Sequence, residues 1–229
     1  MTQKVIFFDI DGTLLSTAGA GQAAIERSLM DEFQIKFPFE GVLTAGRTDR
    51  GITDEVLGRY QHENTPENRN RFRKAYLERL PHSLHASPGR LLPQVSELVH
   101  ELAQHSHITL SILTGNYEAA AWIKLRHYQL DHYFTFGGFG DEEACRDNVA
   151  RLALQAARQA MKHPIAGEDT MVIGDTPADI RCARAIGAKA IAVATGVYKA
   201  EELHPHAPDH LFEDFSSTSD VVSRILELL

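Results

Sequence analysis

Apolar residues fall along this chain in two rhythms. Lys4 to Ile10 is a run of β-branched and aromatic residues that stops at a glycine, the pattern of a buried strand. Ile108 to Leu113, ending at Thr114-Gly115, repeats it. Thr170 to Ile173, ending at Gly174-Asp175, and Lys189 to Val193, ending near Thr195-Gly196, do the same. A weaker strand is expected around Tyr133 to Phe136. Between these runs lie helical patterns over about 91–105, 117–128, 147–161 and 178–186. Strand-helix alternation predicts βαβ units and a parallel sheet, hence an α/β core.

Residues 15–87 break the alternation. They carry amphipathic patterns over about 19–34, 50–61 and 66–80 with no strong strand between them. Pro38, Gly41, Gly46, Pro66, Pro81, Pro88 and Gly89 punctuate the segment. The reading is a Rossmann-like core made of residues 1–14 and 88–229, with a helical unit, 15–87, inserted after the first strand.

The chain has 229 residues, 43% apolar and 24% charged, with a net charge of −8. This is enough apolar content for a real core, and it carries no basic footprint for nucleic acid. No apolar run approaches the length of a membrane helix. The N-terminus enters the first strand without a signal-peptide pattern. The two cysteines, Cys145 and Cys182, suit free thiols, so a cytoplasmic protein is expected. The insert is near neutral while the rest is acidic, which fits a core that holds a cation.

Candidate chemistry collects at the ends of the strands. Asp9-Ile10-Asp11-Gly12-Thr13 places two carboxylates at the carboxyl end of the first strand, where open parallel sheets bind ligands. Neighbouring anions repel unless compensated. Magnesium is the natural partner, because it takes carboxylate oxygens and pairs with phosphate. Gly174-Asp175-Thr176-Pro177-Ala178-Asp179 brings further acids to a second strand end, with Pro177 suited to the first turn of a helix. Thr114-Gly115-Asn116, before another helix, offers a hydroxyl and main-chain N–H groups for a phosphoryl oxygen. A fixed cation should complete the set. Lys124, Arg126, Arg146, Arg151, Arg158 and Lys162 are available. Arg146 is favoured, with Arg151 in reserve, while Lys124 and Arg126 read as surface residues of a helix.

In this order the motifs resemble the haloacid dehalogenase superfamily of phosphohydrolases, nearest its phosphoglycolate phosphatase and β-phosphoglucomutase-like branch. The insert resembles that superfamily's α-helical cap. The resemblance implies that Asp9 is the nucleophile and Asp11 the acid and base. It implies that Thr114 holds the phosphoryl group. Magnesium would bind the Asp9 carboxylate, the Asp11 main-chain carbonyl and Asp175, with Asp179 in support. Arg146 stands where the superfamily usually has Lys, and the Pro that often follows is Asp147 here.

The expected activity is hydrolysis of a small phosphorylated metabolite by a monomer or homodimer. Gly12, Gly115, Asn116 and Arg47 are expected to contact the substrate. Arg47, in Gly46-Arg47-Thr48-Asp49, could grip a second anion. A sugar phosphomutase and a non-catalytic phosphometabolite-binding protein are the alternatives. The twelve histidines read as exposed loop or helix-end residues, Trp122 as packing, and Arg69, Arg71, Arg73 and Lys74 as a solvated helix face.

Overall fold

A computed structural model describes residues 2–161 and 164–229. Strand β1 (Lys4–Phe8) explains its own sequence: Ile6 and Phe8 pack on one face of the sheet, Val5 and Phe7 on the other. A strand covered on both faces has no polar side to show, so it reads as a continuous apolar run. It ends two residues earlier than expected, although the Asp9 N–H still donates to Ile173 O at 3.0 Å.

After β1 come the two-residue strand β2 (Leu15–Ser16) and helices α1 (Ala20–Phe33), α2 (Asp49–Arg59) and α3 (Pro66–Ala86). Thr48 and Thr65 cap α2 and α3 by accepting from Gly51 N at 3.0 Å and Asn68 N at 3.2 Å. Helix α3 does not stop near residue 80. It continues through Pro81, because Leu80 and Leu84 on either side are buried in the insert's own core and hold the helix on course. Strand β3 (Arg90–Leu91) pairs antiparallel with β2, and together they form the stem of the insert. Two residues per strand are too few to leave a periodic signal.

The remaining elements are α4 (Val95–Ala103), β4 (Ile108–Leu113), α5 (Glu118–His127), β5 (Gly137–Gly138) and α6 (Arg146–Ala160). They continue with β6 (Thr170–Gly174), α7 (Pro177–Ile186), β7 (Lys189–Val193), the short α8 (Ala200–Leu203), β8 (His210–Phe212) and α9 (Thr218–Leu228). The expected strand at Tyr133 to Phe136 is a correction. Asp131–Tyr133 is a 3-10 turn, and the pairing falls on Gly137 and Gly138 opposite Ile112 and Leu113. Glycines carry no strand pattern, so this strand could not announce itself.

The sheet is α/β and all parallel, in the order β5-β4-β1-β6-β7-β8. One face is covered by α4, α5 and α9 through residues such as Val99, Leu125 and Ile225. The other is covered by α6 and α7 through Val149, Ala153, Ile180 and Ala183. A third apolar cluster, with Leu29, Val56, Phe72 and Leu80, belongs to the helical insert and takes in Tyr117 and Ala120 beside and on α5. The chain leaves β1 toward β4 on one side and returns to β6 on the other. The crevice at the carboxyl end of β1 therefore faces the insert. No helix among the described residues is long and apolar enough to cross a membrane.

Candidate active site

At the carboxyl ends of β1, β4 and β6 the structure brings Asp9, Asp11, Thr114, Asn116, Arg146 and Asp175 to the wall of one cavity of about 500 Å³. The insert supplies the opposite wall. Asp9 is buried, and its Oδ1 is enclosed without a hydrogen-bond partner. Its Oδ2 lies 3.7 Å from Arg146 Nη2. Burial pushes the Asp9 carboxyl up to about 7, against the opposing pull of Arg146.

Asp175 follows β6 and is held by Thr13, whose hydroxyl donates to Oδ1 at 3.0 Å. Burial, then the charges of Asp179 and Asp9, raises its carboxyl well above the usual range. Gly12 has φ +86°, and a Cβ there would come within 2.4 Å of Asp175 Oδ2. Only glycine allows both that backbone and that approach.

Asp179, in the first turn of α7, accepts from Thr176 N at 3.0 Å and Thr176 Oγ1 at 2.7 Å through Oδ2. Its Oδ1 accepts from Arg146 Nη2. Oxygens of Asp9, Asp175 and Asp179 lie within 4.8 Å of one another. Of these three buried carboxylates, Asp9 and Asp179 face the one buried guanidinium, Asp175 has only the Thr13 hydroxyl as a side-chain donor, and Asp9 Oδ1 has no donor at all. That donor set fits a hard divalent cation. Among the described residues it is the one such group, and no histidine joins it.

The basic candidates separate cleanly. Arg146 is the first residue of α6 and is buried beside Asp9 and Asp179. Arg151 is exposed and donates to Asn148 Oδ1 at 2.8 Å; Arg126 and Arg158 are also on the surface. Lys162 lies outside the described residues. The surface reading of Lys124 is overturned. Its side chain is 5% exposed, and its Nζ donates to Asp11 Oδ2 and Asn116 Oδ1, both at 2.6 Å. Asn116 Nδ2 in turn donates to Asp11 Oδ2 and Thr114 Oγ1, both at 2.8 Å. A signal for Lys124 existed: Ala120, Ala121 and Leu125 are the buried side of α5, and a residue at 124 shares it.

Arg47 lines the cavity, but its guanidinium is turned to the insert. Nη1 donates to Glu55 Oε2 at 2.5 Å and Nη2 to Gly51 O at 3.1 Å. Its main chain does more for the site. A Cβ on Gly115 would sit 1.9 Å from Arg47 O, so the insert rests directly on the Thr114-Gly115-Asn116 turn. The contact continues through Asp49 N to Gly115 O at 2.7 Å and Tyr117 N to Asp49 Oδ2 at 2.8 Å. Arg73 is likewise no mere solvated residue: it pairs with Asp141 and lies over the Tyr117 ring at 5.2 Å. Trp122 is half-buried, with its ring 6.1 Å from that of Phe139, as packing requires.

Residues 6–184 match the family of haloacid dehalogenase-like hydrolases, so the chain belongs to that family of enzymes. It is 27% identical to a phosphoglycolate phosphatase of Mannheimia succiniciproducens, covering 96% of this chain and 98% of the relative. It is 23% identical to the pyrophosphatase PpaX of Oceanobacillus iheyensis, with 97% and 98% covered. Among solved structures, CbbY from Rhodobacter sphaeroides in complex with phosphate superposes with a TM-score of 0.69 at 20% identity, covering 94% of this chain and 96% of that one. That likeness establishes the fold, the α/β core with its helical insert.

Proposed function

We propose that the protein is a magnesium-dependent phosphomonoester hydrolase working through an aspartyl-phosphate on Asp9. The observation that carries this is the unpartnered Asp9 Oδ1, buried at the cavity floor beside Asp175, with a fixed guanidinium at the other oxygen. The Asp9 carboxylate attacks phosphorus, and the bond from phosphorus to the leaving oxygen breaks. Asp11 gives that oxygen a proton. Asp11 then takes a proton from water as the water attacks phosphorus, which frees phosphate and restores Asp9.

Thr114 and the N–H groups at Gly115 and Asn116 hold phosphoryl oxygens, with Gly12 letting the chain approach closely. Arg146 stabilises their charge as it builds. Asp9, Asp175 and the Asp11 main-chain carbonyl would hold the magnesium, which neutralises phosphoryl charge when bound. Asp179 orients the site through Arg146 and Thr176. Residues 15–87 act as a cap on a core of 1–14 and 88–229, excluding bulk water when seated. The reading draws support from the phosphatases among the relatives.

The test is phosphate release from an aryl phosphate. Release is expected with magnesium, none in excess chelator, and background release from a folded Asp9→Asn variant. Full activity in chelator or in Asp9→Asn would overturn the proposal.

A further inference from the structure

The cavity extends past the carboxylates into the insert, where the group attached to the phosphate would lie. Three cations line the whole cavity among the described residues: Arg47, Lys124 and Arg146. Each already faces a carboxylate. Arg47 is paired with Glu55, Lys124 with Asp11, and Arg146 with Asp179. Of these, Arg146 is the one beside Asp9, where the transferring phosphoryl group belongs.

Apart from Arg47, whose guanidinium is turned to Glu55, the insert side offers neutral and acidic groups. Asp49 is buried in the wall, with one carboxyl oxygen taken by the Tyr117 N–H. Tyr76 is buried with its hydroxyl facing Gly21, which Lys124 Nζ also approaches. Burial and the charges of Asp49 and Asp11 hold that phenol far above its usual range, so it stays a neutral donor. Ile25, Phe39 and Ile52 supply apolar surface.

A second anion on the substrate would be acceptor-only. It would meet Asp49, while Lys124, the cation on that side, is already shared between Asp11 and Asn116, and an anion left short of compensation in a closed site is costly. A hydroxyl both donates and accepts, so it can satisfy Asp49 and Tyr76 together. We infer that the preferred substrate is a phosphomonoester whose alcohol carries hydroxyl groups and no second anion. This rests on the hydrolase reading and narrows it. It sets the chain apart from the activities that its named relatives carry, since glycolate and pyrophosphate each bring a second charge.

The decisive pair of probes is 2-hydroxyethyl phosphate and 2-phosphoglycolate, which differ chiefly in a hydroxymethyl against a carboxylate. With magnesium, kcat/KM is expected to favour the hydroxyethyl ester by about tenfold or more, the scale of one unpaired charge. Asp49→Asn, whose amide oxygen still accepts from Tyr117, is expected to shrink that ratio several-fold. Tyr76→Phe is expected to raise KM for the hydroxyethyl ester more than for phosphoglycolate.

Calorimetry of both probes on the Asp9→Asn chain reads the same preference without turnover. Equal or better use and binding of phosphoglycolate would overturn the inference while leaving aryl phosphate hydrolysis intact. Failure of aryl phosphate hydrolysis would overturn the hydrolase reading, and the calorimetric ratio would still decide this one.

Discussion

At the scale of single residues, the Asp11 carboxylate is tied to Lys124 and Asn116, and Asn116 is tied to Thr114. The residues proposed for acid catalysis and phosphoryl binding are thus one hydrogen-bonded unit, with Lys124 its buried anchor on α5. Lys124→Met is expected to lower kcat for alkyl phosphates by about tenfold or more, and less for aryl phosphates, whose leaving groups need little help from an acid. Steady-state rates on a matched pair of esters check this. Equal losses on both would make Lys124 a structural residue only. Asp9, Asp175 and Arg146 could be read from the sequence because each stands at a strand end or a helix start. Lys124 could not be read so directly, because a lysine inside a helix is ordinarily solvated and its burial depends on a partner at position 11. The side chain of Arg47 illustrates the reverse. Its place in the sequence suggests a substrate contact, yet Glu55 and the Gly51 carbonyl have its donors.

Among elements, the junction between α2 and the turn after β4 sets the geometry of the site. Gly115 lies against Arg47 O, and Asp49 bonds across to Gly115 and Tyr117. Gly115→Ala would place a methyl group on a main-chain oxygen, so the insert must lift away from the turn. The expected result is a rise in KM and a fall in kcat of about tenfold or more together, as when a closing element is displaced by an ångström. The core itself should stay folded, as circular dichroism and thermal melting would show. Unchanged kinetics would mean that the insert does not need this seat. The long elements were legible because α6 and β1 advertise their buried faces. The stem strands β2 and β3 are too short for periodicity, and β5 is two glycines. Pro81 looked like a boundary, but packing of Leu80 and Leu84 carries α3 past it.

Over the whole molecule, a net charge of −8 coexists with a buried cluster of acids at the carboxyl ends of β1 and β6. In the metal-free protein Asp9 titrates at about 7 and Asp49 at about 6, both raised by burial. Between about pH 4 and those values the native chain holds protons that the unfolded chain has released. Metal-free stability therefore falls as pH rises through this window. Magnesium should offset the loss at Asp9, so its stabilising shift in melting temperature is expected to be larger at pH 8 than at pH 5, by about 5 °C or more. Thermal melts at both pH values with and without the ion check this, and an equal shift would remove Asp9 from the metal site. The parallel α/β plan was legible from strand-helix alternation, whereas β8 was not, because the three-residue strand is only half-buried; α9 does carry a legible apolar stripe at Val221, Val222 and Ile225, but it lies past the last strand that the alternation predicts. The proposed function turns on an Asp9 carboxylate oxygen taking the phosphoryl group, and chemical trapping tests that most directly. The protein is mixed with a phosphomonoester and magnesium, quenched in acid during turnover, and reduced with borohydride, which converts an aspartyl-phosphate to homoserine. The account predicts homoserine at position 9 alone, in the peptide that begins at β1. Turnover without homoserine at position 9, or with homoserine at Asp11 or Asp175 instead, would contradict it.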